Sequence, residues 1–68
     1  MHLNETKAAR AVRERAYELA ASGRFGAARE VERALIGEGW PNAGSIMHQD
    51  YVAKAVDEKC RVARETAH

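Results

Sequence analysis

The side chains able to do chemistry are few and scattered. His48, Asp50 and Cys60 are of metal-binding types, with His2 and His68 near the two ends. A structural zinc site needs four converging ligands, usually paired at short spacing. Only His48 and Asp50 stand close together, so neither a metal nor any other cofactor is expected. Ser22, Ser45, Cys60 and His48 are the available nucleophiles and bases, and none lies in a local motif that would activate it. Glu14 and Glu18 share a helical face, but a catalytic carboxylate needs an environment that shifts its pKa. A salt-laced outer face is the simpler reading of both. No catalytic residue is expected, and the chain reads as a non-enzyme.

Residues 37–45, GEGWPNAGS, form the most distinctive stretch. Glycines ahead of a helix start can cradle a phosphate on unpaired N–H groups. This stretch matches neither a Walker loop nor a dinucleotide fingerprint, and no strand leads into it. It reads as a helix-to-helix turn with Trp40 pinned into the core. Trp40 and Tyr51 flank the segment and have two readings. Exposed, they are candidate partner-binding anchors, since Trp and Tyr are favoured at interface hot spots. Buried, they fill space that the many alanines leave.

Arginines offer a third chemistry. Arg24, Arg29 and Arg33 lie close together, and the last two share a helical face at four-residue spacing. With Arg10 and Arg13 from an antiparallel neighbour they would neutralise several phosphates. Glu30 and Glu32 interleave with them and count against that. A helix-turn-helix motif needs a tight turn between two short helices, and it fails in both alignments. With Gly39 as the turn glycine, bulky Leu35 falls where a small residue is needed, and Ser45 and His48 fall at apolar positions. With Gly23, Ser22, Arg24 and Arg29 do. Nucleic-acid binding rests on the arginines alone.

The elements that must position these residues are helical. From Glu5 to about Ala21, Ala9, Val12, Ala16 and Leu19 recur at three- and four-residue steps on one stripe. Asn4 or Thr6 is placed to cap the start, and Ser22-Gly23 ends the run. Phe25 is placed to fold back on the last turn. A second helix is predicted from Ala27 to about Ile36, with Ala28, Val31 and Leu35 inward. Gly37, Gly39 and Pro41 break it. Asn42 is placed to cap a single turn over Ala43–Met47 that buries Ile46 and Met47. Asp50 reads as the cap of a last helix from Tyr51 to about Thr66. Along that helix Ala53, Val56, Cys60, Ala63 and Ala67 make a short apolar seam, and Asp57, Arg61 and Glu65 make a charge ladder. No strand pattern occurs.

Size sets the energetics. The 68 residues form one domain, 1–68, with a formal net charge of +1, which gives no general pull toward nucleic acid or anionic membrane. Fourteen residues are alanine, and sixteen larger apolar residues must supply nearly all the burial. A domain below about 70 residues draws only ~3–5 kcal/mol from such a core unless a partner, metal or disulfide adds to it. With one cysteine, no internal disulfide can form. A lone thiol fits a reducing compartment. No stretch approaches a membrane span, and MHLNETKAAR lacks the apolar run of a secretion signal. A cytoplasmic location is therefore expected, with no membrane partner.

The string ASGRFGAAREVERALIGEGWPNAGSIM, followed by YVAKAVDEKCRVAR, resembles short uncharacterised helical proteins of proteobacteria, their phages and plasmids. A helix ending in SGRF, a second with VERAL, a Gly-aromatic break and a last helix with Cys followed by AR carry the likeness, over about two thirds of the chain. It implies a mobile-element or accessory role and no catalytic residues.

The expectation is an all-α, three-helix domain with an extra short turn around Ala43–Met47. Its expected function is a non-enzymatic interaction protein that forms a homodimer through Ala53, Val56, Cys60 and Ala63 and binds a protein partner. The alternative is a small DNA-binding accessory regulator using the arginine patch.

Overall fold

The computed structural model describes residues 7–66, and within them the chain is all-α: α1 Lys7–Ala21, α2 Ala28–Gly37, α3 Ala43–Met47 and α4 Asp50–Thr66. The expected extra turn over Ala43–Met47 is α3, which makes four helices among the described residues. The expected caps Asn4 and Thr6 and the seam residue Ala67 lie outside the described residues.

Each helix turns one apolar stripe inward. Val12, Ala16, Leu19 and Ala20 of α1 meet Val31 and Leu35 of α2, Ala43, Ile46 and Met47 of α3, and Val52, Val56 and Cys60 of α4 in one cluster. All are buried. Fully burying a Val- or Leu-sized side chain stabilises by roughly 1.5–3 kcal/mol, so these few positions carry the fold. The alanines of α1 matter differently. Ala16 and Ala20 are both fully buried, and small residues at a helix contact let the neighbouring axis come close. Ala9, Tyr17, Phe25, Ala28, Ala34 and Trp40 pack around the margin. Phe25, beyond the end of α1, is thus packed against the cluster.

Gly39 explains how α2 stops. Its φ is +89°, in the left-handed region where a Cβ is disfavoured. The Trp40 N–H donates to the Leu35 carbonyl at 3.2 Å and the Gly39 N–H to the Ile36 carbonyl at 3.0 Å. This double closure is the Schellman motif, and it turns Trp40 back toward the helix it follows.

Two expected caps differ in the structure. Asn42 precedes α3 with φ −117° and ψ 25° and makes no side-chain capping bond. Asp50 is the first residue of α4 rather than the residue before it.

Candidate functional site

The α1–α2 junction is held by side chains from a distance. Ala27, ahead of α2, has extended backbone and no side chain able to cap. Asp57 supplies the acceptor from α4: its Oδ1 takes the Ala28 N–H at 2.7 Å. Glu30 reaches back so that its Oε1 takes the Gly26 N–H at 2.9 Å. The Ala28 N–H, an unpaired donor of α2, and the Gly26 N–H just ahead of the helix are thereby satisfied by carboxylates, which also suit the positive end of a helix dipole. Of the expected Asp57–Arg61–Glu65 ladder, the Arg61–Glu65 step forms and the Asp57 step does not. Asp57 faces α2, and Arg61 pairs with Glu58 and with Glu65, the latter at 2.7 Å.

At the other end of α2, Glu38 collects three donors. Arg15 Nε and Nη2 donate to its two oxygens at 3.0 and 2.8 Å, and Trp40 Nε1 donates to Oε1 at 2.9 Å. These bonds, that from Arg15 first, lower the Glu38 carboxyl to a pKa of about 2. Arg15, which also donates to Glu18 at 3.0 Å, is held more firmly protonated by the same bond. Trp40 is thus half-buried against the core with its N–H engaged. Of its two readings, the structure gives a ring that packs in part against the core and keeps some exposed surface.

Tyr51 has the opposite fate and is 59% exposed. Val62 is 42% exposed. Tyr51, Ala55, Glu58 and Val62 follow one another at steps of four, three and four along the outward side of α4. Beside Val62 lies an open groove of about 460 Å³ lined by Ala21, Glu58, Lys59, Val62, Ala63 and Thr66. On its flank Lys59 stands 5.1 Å above the Tyr17 ring.

The predicted dimer seam is also corrected. Val56 and Cys60 have no exposed surface in the single chain, and Ala53 and Ala63 are half-buried beside them. The seam exists, but α1, α2 and α3 already cover it. Burial also raises the pKa of the Cys60 thiol, with the charges of Asp57 and Glu30 adding to it and Arg64 opposing. The thiol packs as a small apolar group.

The arginines separate. Arg29 and Arg33 are exposed on the side of α2 opposite Val31 and Leu35, in line with Ile36, which is 58% exposed. Among the described residues neither has a carboxylate within ion-pair distance. Arg24 lies ahead of α2 with its guanidinium 5.5 Å over the Phe25 ring, off the line of Arg29 and Arg33. Arg10 is paired with Glu14 at 3.1 Å. The interleaved acids are turned aside. Glu30 is tied to Gly26, and Glu32 lies 3.4 Å from His48 Nε2, toward α3.

Among the described residues no three His, Cys, Asp or Glu side chains come together as a metal site would require. His48 faces Glu32. No described helix is long and apolar enough to cross a membrane. The chain matches no protein family, no curated protein and no solved structure with which it was compared.

Proposed function

We propose that this chain is a small, non-enzymatic helical interaction protein of the cytoplasm, and that its first partner is a second copy of itself, met through the outward line of α4. The observation that carries this reading is the pair Tyr51 and Val62, both exposed on one line of one helix. Eleven residues of helix separate them by roughly 16 Å. In a two-fold pair any contact from residue i to residue j is repeated from j to i. Antiparallel α4 helices therefore seat Tyr51 of each copy at the Val62 groove of the other, and the bulky ring enters the open apolar space beside Ala21 and Ala63. The small size of the core gives the pairing an energetic role, because burial between copies adds stability that grows with concentration. The charge pairing of Glu14 with Arg10 and of Glu18 with Arg15 supports the non-enzymatic reading, since both acids sit on solvated faces.

Sedimentation equilibrium with thermal melts over a range of concentrations tests the pairing. A dimer is expected, with a melting temperature that rises with concentration. Val62→Glu is expected to give a folded monomer. A variant carrying Tyr51→Cys and Val62→Cys is expected to form a disulfide between chains, because within one chain these positions are far beyond the ~7 Å Cα limit for bridging. A wild-type monomer at high micromolar concentration, with a melt independent of concentration, rules the proposal out.

A further inference from the structure

We infer that the outer face of α2 is a duplex-DNA-binding face, with Arg29, Arg33 and Ile36 as its reading residues. In sequence, the argument against phosphate recognition is the acid beside each arginine, Glu30 next to Arg29 and Glu32 next to Arg33. The structure directs both carboxylates away from the arginines: Glu30 accepts from the Gly26 N–H and Glu32 faces His48 across to α3. Among the described residues, what remains outward is two arginines without a carboxylate partner and an exposed isoleucine, at spacings of four and three along a ten-residue helix. Side chains at such spacing stand about 5–6 Å apart at Cβ and project from one side.

The chemistry of these three groups selects the ligand. Guanidinium forks bind phosphate oxygens or the O6 and N7 of guanine through two parallel hydrogen bonds, and an apolar side chain meets the thymine methyl. An α-helix fits the major groove of B-form DNA. The deep, narrow major groove of A-form RNA excludes it. Arg10, Arg15 and Arg61 are less available, because all three are bound to carboxylates. Binding is assigned to α2 by the alignment of its two arginines with Ile36, and a net charge of +1 adds no general pull. This binding does not depend on the pairing of α4, which lies on a different helix.

Fluorescence anisotropy with a labelled duplex of about twenty base pairs, from about 20 to 200 mM salt, tests this. Wild-type protein is expected to bind at low salt. Arg29→Ala with Arg33→Ala should weaken binding at least tenfold and lower the salt slope by about 1 for each arginine removed. Lys7→Ala with Lys54→Ala removes the same charge from exposed sites off this face and should leave the slope unchanged. Circular dichroism confirms that each variant folds. No binding by wild-type protein at low salt overturns the inference, as does an equal loss in the lysine variant. Duplex RNA of the same sequence binding as tightly overturns the groove assignment. Polyglutamate competing as well as DNA overturns the inference and assigns the face to an acidic protein.

Discussion

Asp57 and Ala28 are 29 residues apart in the chain, yet the Asp57 carboxylate accepts the first N–H of α2 at 2.7 Å. One helix thus receives its cap from the side of another. The contact ties the start of α2 to the middle of α4. Replacing an N-cap acceptor with Ala costs about 0.5–2 kcal/mol. Asp57→Ala should lower stability by that amount, and in a domain this small each kcal/mol moves the melting temperature by roughly 4–8 °C. Asp57→Asn keeps an acceptor and should recover part of the loss. Thermal denaturation followed by circular dichroism measures both.

The Arg15–Glu38–Trp40 cluster should make stability depend on acid. Glu38 ionises at about pH 2 in the folded chain and near 4.3 when unfolded. A depressed carboxyl contributes stability that is fully present above the unfolded pKa and is lost as pH falls through the folded one. The loss should therefore run from about pH 4.5 down to 2, with Trp40 fluorescence changing as its acceptor is protonated. Glu38→Gln should flatten that part of the profile. A denaturation series across this range that is the same in wild type and Glu38→Gln would contradict the assignment.

Val56 is now a test of the interior rather than of assembly. It is fully buried among α1, α2 and α3. Val56→Glu places an unpaired carboxylate in the core and should unfold the chain at every concentration, because burying an isolated charge is strongly unfavourable. Leu35→Ala, which leaves a cavity, should cost about 2–5 kcal/mol. Calorimetry distinguishes the two variants from Val62→Glu, which should remain folded.

Cys60 gives a kinetic reading of the same core. Its thiol has no exposure, and its pKa is raised, so little thiolate forms near neutral pH. A thiol reagent should modify it at the rate at which the bundle opens, and modification should speed up in Asp57→Ala. Labelling as fast as that of a free thiol would contradict the buried placement.

Much of this fold is legible in local pattern. The stripe Val12, Ala16 and Leu19, the stop at Gly39 and the burial of Ile46 and Met47 all follow from steps of three and four and from glycine at a left-handed position. Periodicity also picks out Val56 and Cys60 as one face of α4. It does not say what covers that face, and the nearest cover is the chain's own α1, α2 and α3 rather than a second molecule. Asp57 shows the other limit. Its position beside Arg61 suggests an exposed ladder, because its true partner is a backbone N–H far away in sequence. Tyr51 and Trp40 have similar chemistry in the sequence. They part company because the Schellman turn bends Trp40 back onto α2, whereas Tyr51 follows the outward line of a straight helix. The exposed face at Arg29 and Arg33 was visible as spacing, but the diversion of Glu30 and Glu32 needs the loop and α3 in place.

The division of labour on α2 bears on how this protein can change over generations. Val31 and Leu35 are its two fully buried side chains, while Arg29, Arg33 and Ile36 face outward and make no part of the buried cluster. Substitutions at exposed positions away from caps and packing usually shift stability by no more than about 0.5 kcal/mol. Selection can therefore rewrite the outward letters of α2 with little effect on folding, even in a domain with almost no stability to spare. Variants diverging from this chain should keep Val31, Leu35 and Gly39 while the outward residues of α2 drift, which lets one scaffold change its surface one substitution at a time.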